Sequence, residues 1–227
     1  MQYKDIIEEL KARHDPEAVK EMARFGINPE NAYGVSIYWL QKMAKEIGKD
    51  HELAQELWES GIREARMLAG YIEQPEMVTE AQLESWVKDI NSWDVCDLCC
   101  SNLFDQTRFA HEKAADWSER GEEFVKRAGF VLMAVLSSHD KKATDEDFSK
   151  FLLMIKREAT DNRNYVKKAV NWALRQIGKR NRNLNKMALK TAEEIKQIDA
   201  KSARWIAADA IRELTSEKVQ KRLAKTK

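Results

Sequence analysis

Glycine and proline are scarce in this 227-residue chain, which holds 8 of the first and 3 of the second. So few breakers argue against a turn-rich all-β fold, and against collagen-like or low-complexity chains. No apolar run approaches the roughly 18 residues that a membrane-spanning helix needs. The opening residues, Met1-Gln2-Tyr3-Lys4-Asp5, lead into an amphipathic helix instead of a secretory signal, so a cytoplasmic protein is expected. Cysteine is confined to Cys96, Cys99 and Cys100, which are too close together to staple distant parts of a fold. Cys96-x-x-Cys99 has the spacing of half a zinc site, but there is no second pair, and His14, His51, His111 and His139 are scattered. Buried thiols and no metal are the expectation. Gly-rich phosphate loops, G-x-S-x-G and H-E-x-x-H are missing as well, which removes support for nucleotide hydrolysis, esterase and zinc-protease chemistry.

What the chain has in quantity is hydrophobic residues (43%) and charged ones (34%), the balance of stacked amphipathic helices. The charges are unevenly placed. Residues 1–149 hold 18 Lys and Arg against 30 Asp and Glu, a balance of −12, whereas residues 150–227 hold 21 against 8, a balance of +13. From Asp161 to Glu193 no acid intervenes, although nine Lys and Arg do. Such a local field attracts phosphates. A solvated face paired with the acidic first half is the plainer alternative.

Apolar spacing predicts an all-α chain of about fourteen helices. Asp15-Pro16 reads as an N-cap followed by proline at the first helical position. A helix is expected from about Asn31 to Ile47, where Val35, Tyr38, Trp39, Met43 and Ile47 recur at helical spacing. Thr79 and Ser92 read as caps of two helices that should pair with each other, the second reaching Phe104. A long apolar helix should span Glu122 to Leu136, with Ser137-Ser138-His139-Asp140 as a loop. Thr144 to Asp147 reads as a capping box, and Asn183 as the cap of a later helix. Helix, turn, helix recurs at roughly 30 to 40 residues, the interval of helical-repeat solenoids, so a single domain over 1–227 is expected.

Two stretches carry candidate chemistry. In Ser92-Trp93-Asp94-Val95-Cys96-Asp97, Trp93 and Asp97 lie four apart and share a helix face. An indole beside a carboxylate results, although an acid near a helix start is also an ordinary dipole partner. On the basic helix, Lys168, Trp172, Arg175 and Lys179 fall at i, i+4, i+7 and i+11, with Arg180 and Arg182 just beyond. A cationic stripe holding a flat ring suits gripping a phosphate backbone while the ring packs on sugar or base. Alternatively, Trp172 is a tryptophan at the edge of the core.

Trp93-Asp94-x-x-Asp97, Phe124-Val125-Lys126-Arg127-Ala128 and the run from Tyr165 to Arg175 occur in an order and separation that resemble the HEAT-like repeat alkylpurine DNA glycosylases, the AlkD family. Phe25-Gly26-Ile27-x-Pro29 adds to the likeness, which spans nearly the whole chain. The resemblance implies an α-solenoid of HEAT-like antiparallel helix pairs, curved with a concave basic surface. It implies Asp97 as the catalytic carboxylate, and Trp93, Arg127 and Trp172 as substrate contacts. Lys168, Arg175, Lys179, Arg180 and Arg182 would bind DNA. The implied partner is double-stranded DNA carrying cationic lesions of the 3-methyladenine or 7-methylguanine type. The enzyme would be a cofactor-free, cytoplasmic monomer, associated with the nucleoid when bound to DNA. The chain departs from the family pattern at Ser92, where a tryptophan is expected, and at Asn171, where a glycine is. A non-catalytic DNA-structure binder and a protein scaffold remain the other two readings.

Overall fold

The structure, a computed structural model, describes residues 1–225. It contains fourteen α-helices and, among the described residues, no strand. The chain forms two compact units, Met1–Arg108 and Phe109–Lys227. The first holds α1 (Tyr3–Ala12), α2 (Pro16–Arg24), α3 (Ile37–Ile47), α4 (His51–Glu59), α5 (Arg63–Ile72), α6 (Glu80–Asp89) and α7 (Trp93–Asn102). The second holds α8 (Ala110–Ser118), α9 (Glu123–His139), α10 (Asp145–Arg157), α11 (Asn164–Gly178), α12 (Arg182–Lys196), α13 (Lys201–Leu214) and α14 (Glu217–Lys225). Short 3-10 turns at Phe104–Gln106 and Glu158–Thr160 complete the list.

In the first unit, α3, α5 and α7 stack in sequence, with α4 against α5. Asp15 caps α2 as its sequence implies, its carboxylate accepting from Glu17 N and Ala18 N at 3.0 Å. The expected start of α3 is wrong by six residues. The fully buried Glu64 of α5 takes the amides of Tyr33 and Gly34, each at 2.9 Å, and those N–H groups are then lost to a helix. Gly34 sits at φ +77, where a Cβ would meet Asp15 O at 2.5 Å, so the segment stays irregular until Ser36 caps α3. Of the apolar positions at helical spacing, Val35 and Met43 are buried together with Leu40, whereas Tyr38 is 81% exposed. The expected pairing of α6 with α7 also fails, because α7 packs on α5. Gly70 allows that approach, since a Cβ there would lie 2.9 Å from Leu98 Cδ2 and 3.2 Å from Cys99 Sγ. The helix starting at Trp93 ends at Asn102, short of Phe104.

In the second unit, α9, α11 and α13 form one layer, and α8, α10 and α12 another. Helix α9 is buried on all sides from Val125 to Ser137, and this changes one expectation: residues 137–139 are its last turn and not a loop. Ser137 returns its hydroxyl to Ala134 O at 2.7 Å, which lets a polar residue remain in a buried helix end. Gly129 brings α9 against the end of α8, where a Cβ would meet Ser118 N at 2.5 Å. The Thr144–Asp147 capping box forms as read. Asn181, not Asn183, caps α12, accepting from Leu184 N at 2.8 Å, while both asparagines donate to the Asp145 carboxylate at 2.7 Å. No helix among the described residues is long and apolar enough to cross a membrane.

Candidate functional site

The first candidate lies at the start of α7. Ser92 occupies the N-cap position without capping through its side chain. Its hydroxyl instead accepts from Asn28 N at 3.2 Å and donates to Asp94 Oδ1 at 2.6 Å. Asp94 is also held by Arg63, whose Nε donates to Oδ2 at 2.8 Å, and Arg63 reaches Glu64 at 3.1 Å with its other arm. Asp94 is therefore a clamp between α5 and α7, and its charge is balanced locally. Asp97, one turn on, is the half-buried carboxylate on the face of Trp93. Trp93 is fixed by its own indole, which donates from Nε1 to Phe25 O at 3.2 Å.

Cys96, Cys99 and Cys100 back this turn, all three buried and none in a disulfide. Burial pushes the Cys99 thiol up, assisted by neighbouring Cys96. Burial likewise pushes the Cys100 thiol well up, with help from its hydrogen bond to Cys96 and from the charges of Cys96 and Asp97. Thiols held this firmly protonated are packing groups and not nucleophiles. Among the described residues no three His, Cys, Asp or Glu gather as a metal-holding group.

The remaining candidates lie in the second unit. Arg127 is buried in α9 and donates from Nη1 to Tyr165 O at 2.7 Å, at the first turn of α11. Phe124 and Tyr165 pack with ring centroids 5.4 Å apart. Lys126, its neighbour, binds Glu158 at 2.6 Å. Burial opposes ionisation of Asp161, but hydrogen bonds and charge from Arg163 hold its carboxyl below the usual range. Trp172 is half-buried on α11, and Asn171 beside it is buried, donating to Asp209 Oδ2 at 2.7 Å.

The five expected DNA-binding cations separate into two kinds. Lys168 is exposed. Arg175 pairs with Asp209 at 3.5 Å and with Glu213, and Lys179 binds Glu213 at 2.6 Å. Burial works against the Glu213 charge, yet the hydrogen bonds from Lys179 and Arg175 outweigh it and keep that carboxyl below its ordinary value. Arg180 spans two backbone carbonyls, Ser137 O and Ala143 O, both at 2.9 Å, over the ring of Phe148. Arg182 reaches Leu223 O at 3.1 Å and Ala224 O at 3.2 Å. Carbonyls at helix ends lack intrahelical partners, and a guanidinium supplies them.

Two features of these sites escaped the sequence reading. Phe25 is 69% exposed although its carbonyl is fastened to Trp93, and only its place in the Phe25-Gly26-Ile27 break hinted at a role. Asp209 and Glu213 lie more than thirty residues beyond the cations they neutralise, so no local charge count could pair them.

Residues 6–214 match the protein family described as DNA alkylation repair enzyme. A solved structure described as "A new family of proteins related to the HEAT-like repeat DNA glycosylases with affinity for branched DNA structures" superposes with a TM-score of 0.77. It is 23% identical, over 93% of this chain and 95% of that one, and shares the HEAT-like fold. No curated protein matches the chain.

Proposed function

The chain belongs to the DNA alkylation repair enzyme family, and on that premise we propose that it is a monofunctional DNA glycosylase for cationic alkylated purines. The observation that carries the reading is the placement of Asp97 on α7: it is a half-buried carboxylate one helical turn from Trp93, whose indole is anchored to Phe25 O. Alkylation at N3 or N7 gives the purine a positive charge, so the N-glycosidic bond breaks with both electrons leaving on the base, which departs neutral. The sugar becomes an oxocarbenium ion. An ionised Asp97 stabilises that cation and takes a proton from the water that adds at C1′. Trp93 supplies a flat face for the electron-poor sugar. In the second unit, Trp172 and Arg127 are the residues that the family resemblance makes DNA contacts. Lys168 is the cation assigned to phosphate. Arg175, Lys179, Arg180 and Arg182 shape that face through their internal bonds.

Incubation with duplex DNA bearing 7-methylguanine should release free base. Asp97→Asn should lower the release rate by about 100-fold or more with DNA affinity retained. Equal release by the variant removes Asp97 from its role.

A second reading has its own support. The solved relative is described by its affinity for branched DNA, and the two departures at Ser92 and Asn171 are both built into internal hydrogen bonds here. A DNA-structure binder without base excision predicts salt-dependent binding and no released base.

A further inference from the structure

The strongest unassigned feature is an aromatic-basic patch on α11 and α13. Trp205 is 41% exposed, unusual for so large a ring. The ammonium of Lys167 lies 5.1 Å from its centroid, a cation resting on an indole. Lys168, the next residue, is exposed, and so is Lys201, one turn before Trp205 on α13. The other cations nearby are neutralised: Arg204 by Asp199 at 2.7 Å, and Arg212 by Asp209. No carboxylate among the described residues pairs with Lys167, Lys168 or Lys201. Ala208, three residues beyond Trp205, is exposed as well.

A ring flanked by unpaired ammonium groups fits a ligand that is anionic and planar at once. Phosphates satisfy the lysines, and a nucleobase satisfies the indole. Inside an intact duplex every base face is already stacked, so Trp205 finds a partner only where a base is unpaired, as at a flap, gap or branch. We propose that Trp205, with Lys167, Lys168 and Lys201, forms a second DNA contact that stacks on an unpaired base and selects duplexes carrying a flap or branch. The proposal rests on the reading of the chain as a DNA-binding protein but not on base excision.

The test is competition for a labelled flapped duplex by two undamaged circular duplexes, one covalently closed and fully paired, the other carrying one unpaired flap. Wild-type protein should prefer the flapped circle. Trp205→Ala should weaken binding to it by roughly 5- to 100-fold, the range for losing one base–aromatic stack, with the closed circle little affected. Trp205→Phe should keep most of the preference. Lys168→Gln should weaken both circles alike and lower the salt slope by about 1. The proposal is overturned if wild type binds the circles equally, if Trp205→Ala weakens both or neither, or if polyglutamate competes as well as flapped DNA. Because the DNA is undamaged, failure to release 7-methylguanine would remove the glycosylase and leave this contact standing. Loss of flap preference with base release intact would remove the contact alone.

Discussion

The two units handle their dominant charge in opposite ways. Residues 1–108 carry 12 Lys and Arg against 21 Asp and Glu, and residues 109–227 carry 27 against 17. In the acidic unit, two carboxylates are driven fully inside and become hubs. Glu64 gathers Tyr33 N, Gly34 N and Arg63. Glu73 gathers His51, Gln55, Gln82 and the amide of Gln74, each at 2.7 Å. In the basic unit the cations stay nearer the surface and tie down backbone carbonyls at helix ends and in the turns between helices: Arg163 reaches Gly121 O, Arg180 reaches Ser137 O and Ala143 O, and Arg222 reaches Lys179 O. A carboxylate is compact, accepts several bonds and can be enclosed. A guanidinium is long and donates in a planar fork, so it bridges between elements. An excess of either charge is thus partly a structural device, and the surplus left after the internal bonds are made is what a ligand meets.

Substitutions at four positions probe that contrast. The largest loss is expected from Glu64→Leu, which leaves two buried amides and Arg63 without their acceptor. Urea unfolding should show a loss of about 4 kcal/mol, and Glu64→Gln a smaller one. Gly129→Ala tests packing without charge. Its Cβ would sit 2.5 Å from a backbone nitrogen that cannot swing away, so about 3 kcal/mol should be lost in thermal unfolding. Arg180→Met separates structure from ligand. Loss of two carbonyl bonds should lower stability by about 2 kcal/mol, while the salt slope of DNA binding stays unchanged. A reduced slope would return Arg180 to the phosphate contacts.

The smallest effect is a pH dependence. The folded-state value of Glu213 is depressed below 4.5, so its contribution is fully present above that pH and is lost as pH falls through the lower folded value. Wild type should therefore lose stability in that acid range, and Glu213→Gln should lose less. Parallel acid profiles of thermal stability for the two proteins would show that the Arg175–Glu213–Lys179 cluster contributes nothing.

Local signals located most of the helices well. Caps such as Asp15, Thr79 and Thr144, and the apolar periodicity of α11, depend on neighbours within one or two turns, so they can be read in the chain. The misplaced start of α3 had a remote cause, a carboxylate thirty residues downstream that takes two amides. The loop assigned to residues 137–140 failed similarly: serines and a histidine look like a break until a buried helix supplies the hydroxyl with a carbonyl one turn back. Trp93 and Asp97 could be placed on one face from spacing alone. That Asp94 is occupied by Arg63, thirty-one residues upstream, could not.

By itself the sequence determined the helical class, the asymmetry of charge and the one-turn spacing of Trp93 and Asp97, because each depends on composition or on residues a few positions apart. Tertiary structure decided which charges are available. Arg175, Lys179, Arg180 and Arg182 look like Lys168 in the chain, but the first four meet carboxylates or carbonyls folded in from 34 to 43 residues away, and Lys168 meets solvent. An ion pair or a buried carbonyl bond needs its partner within about 3 Å, and only the folded chain sets that distance.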